Sequence, residues 1–74
     1  MTHAFSSESL YDLRTARGLT QEALALSSGL ATATVVKLEG GQVTDPRVST
    51  LQRLAQTLEC PLEALLTQQS VREA

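Results

Sequence analysis

The sequence predicts an all-α domain, a compact bundle of five short helices, and three observations carry that expectation. Apolar residues recur at spacings of three and four, the helical period, and the breakers Gly18, Gly29, Gly40, Gly41 and Pro61 fall between those runs. The only aromatic residues are Phe5 and Tyr11, so the core must be built of Leu, Val and Ala, a palette that suits helices better than sheets. No segment alternates with the period of two that a strand requires.

The elements follow in order. Segment one runs from about Ser7 to Arg17 with Leu10, Leu13 and Ala16 on one face, and stops at Gly18, which accepts positive φ without a Cβ clash. Segment two starts after Thr20, whose hydroxyl can accept from a free backbone N–H, while Glu22 suits the positive end of the helix dipole. It presents Ala23, Leu24 and Leu26 until "SSG" interrupts. Segment three covers about Thr32 to Glu39, with Val35 and Leu38 inward. The loop "GGQVTDP" leads to segment four, about Val48 to Thr57, where Val48, Leu51, Leu54, Ala55 and Leu58 form an apolar stripe. Segment five begins near Pro61, a residue tolerated in a first helical turn, and carries Leu62, Leu65 and Leu66. Residues 1–6 and 68–74 are expected to be flexible tails.

A chain of 74 residues makes one domain, 1–74, and at this size folding buries only about 60 % of the unfolded surface, so stability is modest and a partner subunit would add to it. The formal net charge of −2 argues mildly against a nucleic-acid partner, because binding to a phosphate backbone is driven by cations that displace counterions. The distribution softens that objection. Between Leu10 and Arg53 the bases Arg14, Arg17, Lys37, Arg47 and Arg53 outnumber the acids Asp12, Glu22, Glu39 and Asp45, and the remaining acidity sits toward the two ends. A single cysteine, Cys60, excludes an internal disulfide framework and fits a reducing compartment. The N-terminus has neither a basic start nor an apolar run and no stretch approaches a membrane span, so a cytoplasmic location is expected.

Segments two and three are joined by only a few residues around Gly29. A turn that short cannot bring the helices antiparallel, so they should cross steeply, and Ala25 provides a small residue where the backbones approach. This is the spacing of a helix-turn-helix. The run "LRTARGLTQEALALSSGL…TVVKLEGG…DPRVSTLQRLAQTLECPLEALL" resembles the phage-repressor and Cro-like helix-turn-helix family, the XRE type, over about residues 10–66. Its most specific pieces are "GLTQEALA", the glycine four residues after Ala25, "KLEGG", and the stretch from Pro46 to Leu58.

The resemblance implies a lambda-repressor-like bundle whose third helix enters the major groove of double-stranded DNA, as a homodimer on a palindromic operator. It assigns Thr20 and Gln21 to the DNA-binding set, with Gln21 the amide that contacts a phosphate. Thr32, Ala33, Val36 and Lys37 match positions that face base edges, Thr34 one near the backbone, and Arg47 an arginine that can reach the minor groove. Arg14 and Glu39 match a partly buried ion pair tying helix one to the end of helix three. Three positions depart from the pattern. Ala31 stands where a capping Ser or Thr is usual, a loss of about 1 kcal/mol unless Thr32 takes over. Glu59 occupies a place often held by a left-handed Gly. Ser28 replaces an apolar residue.

Each functional assignment has a plainer counterpart. Lys37 and Gln21 are also ordinary surface helix residues, Arg47 has Asp45 nearby to pair with, and an exposed Val36 needs no explanation by itself. Against that, a valine on the outer face is suited to contact a thymine methyl. His3 falls in the N-terminal tail, and Cys60, next to Pro61, reads as a small hydrophobe more than a reactive thiol. No metal-ligand or nucleophile spacing, phosphate loop, cofactor motif or small-molecule ligand is evident, and no enzyme activity is expected. The expectation is a sequence-specific transcriptional regulator, a repressor, dimerising through helix five and the C-terminal segment. The alternative is a protein-interaction module on the same fold, such as an antitoxin or complex subunit.

Overall fold

A computed structural model describes residues 3–68; the predicted tail segments 1–2 and 69–74 lie outside the described residues. The elements are β1 (His3–Phe5), α1 (Ser7–Ala16), α2 (Gln21–Ser28), α3 (Thr32–Glu39), α4 (Val48–Leu58), a 3₁₀ turn (Leu62–Leu65) and β2 (Leu66–Gln68). The bundle is therefore mostly helical as expected, with four α-helices and a single 3₁₀ turn in place of a fifth.

Local chemistry explains most boundaries. Ser6 caps α1 by accepting from the Ser9 N–H at 3.1 Å, and Thr20 caps α2 by accepting from the Ala23 N–H at 3.0 Å. Gly29 ends α2 with φ 72°, which lets the Leu30 N–H reach back to the Ala25 carbonyl at 2.9 Å. The same left-handed geometry ends α4 at Glu59, φ 55° and ψ 47°, where a side chain with a Cβ occupies the position the sequence marked as a glycine site. There the Cys60 N–H returns to the Ala55 carbonyl at 3.0 Å.

The core is Leu10, Leu24, Ala25, Val35, Leu38, Leu51, Leu54, Ala55, Leu58 and Leu65, with Phe5, Leu13, Leu19, Leu30, Val43, Cys60, Leu62 and Leu66 packed partly against it. Three expected inward residues face solvent instead. Leu26 is 84 % exposed because α2 buries Leu24, Ala25 and Ser28, a face rotated away from position 26. Val48 is 59 % exposed because it opens α4 before the helix reaches the core, and Ala16 is exposed at the end of α1. Ser28, the departure from the apolar pattern, is buried, and its hydroxyl donates to Thr57 Oγ1 at 3.0 Å, so the polar group is satisfied.

Two corrections concern the ends. Residues 3–5 and 68, assigned from sequence to flexible tails, belong to a two-stranded antiparallel ribbon in which His3 faces Gln68, Ala4 faces Thr67 and Phe5 faces Leu66. Segment five stops as a 3₁₀ turn because the Leu65 carbonyl accepts from the Ser6 N–H at 2.9 Å and the chain then extends into that ribbon. Leu65 is fully buried, so the apolar surface the sequence offered for dimerisation is smaller than expected.

Glu59→Gly removes the left-handed strain, about 1 to 2 kcal/mol, at the loss of a solvent-exposed Arg17–Glu59 contact of little value and with some added freedom in the unfolded chain. A thermal melt should show the midpoint rising by a few degrees. A lower midpoint would mean that Glu59 contributes more through its contacts than its backbone costs.

Candidate nucleic-acid interface

The site is built on the crossing of α2 and α3. Ala25, 1 % exposed, sits where the helices meet, and Arg53 from α4 donates from Nη1 to the Gly29 carbonyl at 3.2 Å, covering the turn from outside. A Cβ at residue 29 would lie 2.9 Å from that same Arg53 nitrogen, the movable end of an exposed side chain, so it is the positive φ that favours glycine there.

With Val35 and Leu38 fully or nearly fully buried, the phase of α3 is fixed. Thr32, Ala33, Val36 and Lys37 are then exposed together on its outer face, and Thr34 is half-buried at its margin. Val36 is 42 % exposed. Ala31 precedes α3 with no side-chain cap, and Thr32 is already helical, so it does not take over that role; the N–H groups that open α3 have no side-chain acceptor. Lys37 lies in the last turn, where a cation suits the negative end of the dipole. Arg47 is exposed immediately before α4 and forms no ion pair with Asp45 among the described residues.

At the far end of α3 is the Arg14–Glu39 pair. Arg14 Nε donates to Glu39 Oε2 and Nη2 to Oε1 at 2.9 Å, while Nη1 donates to the Leu19 carbonyl at 2.7 Å. The side chains are 11 % and 5 % exposed. Hydrogen bonding to Glu39 pushes the guanidinium pKa above its ordinary value, against the opposing effect of burial. The Arg14 guanidinium also lies 5.3 Å from the centre of the Tyr11 ring, within cation–π range.

Gln21 joins this cluster in a way that sequence spacing did not reveal: its Nε2 donates to Glu39 Oε1 at 3.0 Å. An ionised carboxylate only accepts, so the nitrogen and not the oxygen of the amide faces Glu39, and one Nε2 hydrogen remains for another acceptor. Thr20, beside it, spends its hydroxyl oxygen as the cap of α2. Arg53 was likewise missed as the residue covering the turn; nothing in its spacing marks a contact across 24 residues. Cys60 is half-buried against the core, and that burial raises its thiol pKa, as suits a packing residue.

The frame of the site is thus two eight-residue helices, α2 and α3, joined through the Gly29 turn. The helix-turn-helix family model matches residues 10–65. The chain belongs to the helix-turn-helix family. It is 41 % identical over 59 residues to the HTH-type transcriptional regulator RghRB of Bacillus subtilis (strain 168), covering 80 % of this chain and 42 % of the relative. It is 37 % identical over 59 residues to the HTH-type transcriptional repressor RghR of the same strain, covering 80 % of this chain and 44 % of that one. The helix-turn-helix chain thus spans less than half the length of these two relatives. Among solved structures it resembles the restriction-modification controller protein C.AhdI from Aeromonas hydrophila, with TM-score 0.76 and 37 % identity over 80 % of this chain and 88 % of that one. Among the described residues, no helix is long and apolar enough to cross a membrane.

Removing one partner of the Arg14–Glu39 pair strands the other. Glu39→Ala should lower stability by up to about 3 to 5 kcal/mol, because Arg14 would then be a nearly buried charge left with one hydrogen bond, to the Leu19 carbonyl, and the Tyr11 ring. Arg14→Met/Glu39→Leu should recover much of that loss in the same denaturant titration. A single mutant as stable as the parent would place the pair among weak surface contacts.

Proposed function

We propose that the chain is a sequence-specific, double-stranded-DNA-binding transcriptional regulator, a repressor that occupies a palindromic operator as a homodimer. The observation that carries this reading is the outer face of α3, where Thr32, Ala33, Val36 and Lys37 are exposed together on a helix joined to α2 through the Gly29 turn. A helix presented in this way fits a major groove, with its first residues at the base edges. RghR is named a repressor and C.AhdI a controller protein, which supports regulation over catalysis.

On this reading the side chains divide into two groups. Gln21, through the Nε2 hydrogen that Glu39 does not take, contacts a phosphate, and the unfilled N–H groups at the start of α3 add donors near the backbone. Thr20 and Thr34 lie near the same backbone, and Arg47 reaches toward the minor groove. Lys37 faces a guanine, and Val36, Ala33 and the Thr32 methyl meet thymine methyl groups. The dimer contact is assigned to the 3₁₀ turn and the segment after it, where Leu62 and Leu66 are only half-buried, with the exposed Val48 as a further apolar group. Sedimentation equilibrium at tens of micromolar should give a dimer. A strictly monomeric species with and without DNA would remove this part of the proposal.

Binding-site selection from a random duplex library tests the assignment of readers. Gln21→Ala should weaken all sequences alike, since a phosphate contact carries no sequence information. Val36→Ala and Lys37→Ala should each relax preference at one position per half-site, with a good base contact worth about 1 to 3 kcal/mol. Unchanged motifs in both mutants, with affinity lowered, would count against base readout by these residues. If the parent is not retained on heparin or duplex DNA and instead co-purifies with another protein, the interaction-module reading replaces this one.

A further inference from the structure

A surface groove of about 650 Å³ runs beside α3, lined by Ser7, Glu8, Tyr11 and Arg14 of α1, Gln21 of α2, and Val36, Glu39 and Gly40. Two of its lining residues, Gln21 and Val36, belong to the proposed DNA face, so the groove continues that interface onto α1. Its floor is electrically balanced: the Arg14–Glu39 pair is closed on itself and on Gln21 Nε2. Tyr11, half of whose surface is exposed at 51 %, stands on the α1 side. No residue among those described hydrogen-bonds its phenolic oxygen, and the Arg14 guanidinium lies over the ring 5.3 Å from its centre.

We propose that this groove receives a sugar–phosphate strand of DNA, and that Tyr11 Oη donates to a phosphate oxygen beside the one taken by Gln21. The inference rests on the proposed DNA-binding reading and extends the contact surface to a helix outside the helix-turn-helix. Phosphate contacts in protein–DNA complexes come from tyrosine hydroxyls and glutamine amides as well as from cations, which suits a groove whose one cation is already paired. Glu8, also on the lining, is the one unpaired charge there among the described residues, and it opposes a phosphate.

The test measures affinity for a mixed-sequence duplex and for the duplex recovered by selection, using the parent, Tyr11→Phe and Glu8→Gln. Tyr11→Phe keeps the ring under Arg14 and deletes only the hydroxyl, so its thermal midpoint should equal that of the parent. Its affinity should fall about tenfold on both duplexes alike, the loss expected for one hydrogen bond to a charged group. Glu8→Gln should bind both duplexes more tightly than the parent, by severalfold at low salt and less at high salt. A parent that binds DNA together with a Tyr11→Phe variant of equal affinity overturns the inference and leaves the DNA-binding reading standing. A Glu8→Gln variant that binds no better than the parent also overturns it, because the groove then lies away from the strand. Failure of the parent on both duplexes overturns the reading and the inference together.

Discussion

The Arg14–Glu39 pair is the constraint on which the arrangement of the first three helices depends. Its two carboxylate oxygens take three donors, two from Arg14 on α1 and one from Gln21 on α2, while Glu39 itself ends α3. Two charges with side chains only 11 % and 5 % exposed are tolerable because each hydrogen-bonding direction that faces the protein is used, including Arg14 Nη1 on the Leu19 carbonyl. The gain over a well-packed apolar pair need not be large. What the cluster supplies is direction: an apolar contact between α1 and α3 would tolerate sliding and rotation, whereas a bidentate guanidinium–carboxylate fork does not. The position of α3 relative to the start of α2 is thereby fixed at one end by charge and at the other by the Ala25–Gly29 crossing.

The left-handed residues show how differently the same backbone need is met. At Gly29 the chain turns beneath the Arg53 side chain, and the positive φ disfavours a Cβ, which would also displace the Arg53 tip that binds the turn. At Glu59 the conformation is the same, φ 55°, but the side chain is free to extend toward Arg17. The first turn sets the relation of the two helices that define the family. The second only closes α4, so a strained residue is tolerated where an error of geometry has less consequence for the interface.

How far the sequence was legible depended on whether a residue's surroundings are local. The period of three and four located α1 to α4, and at α3 it also gave the outward face, because the larger Val35 and Leu38 fix the phase against the smaller Ala33–Val36 pair. In α2 the run "ALAL" places apolar residues on two sides within four positions, so periodicity alone could not tell Leu24 from Leu26. The ribbon was missed because three residues are too few to show an alternating period, and each strand depends on a partner more than sixty residues away. For the candidate site, the Arg14–Glu39 pair was accessible only through family resemblance. The Gln21 bond to Glu39 spans 18 residues and leaves no trace in spacing.

The electrostatics of the proposed interface follow from the same economy of charge. Lys37 and Arg47 are the exposed cations on the assigned face, Arg14 is already neutralised by Glu39, and the chain as a whole is formally −2. Attraction to the phosphate backbone supplies essentially all non-specific binding, so this face has little of it, and each phosphate it does neutralise contributes only about 0.9 to the salt slope. Methyl contacts and neutral donors such as Gln21 act over short range and reward only a duplex already seated in register. A face built in this way gives up affinity for arbitrary DNA first. Because the biologically relevant quantity is the ratio of specific to non-specific binding across a large excess of competing sites, weak backbone attraction raises selectivity even when the specific affinity is modest. In the proposed homodimer a second subunit would restore affinity by joining two such half-sites, a physical reason for a small domain with few cations to pair.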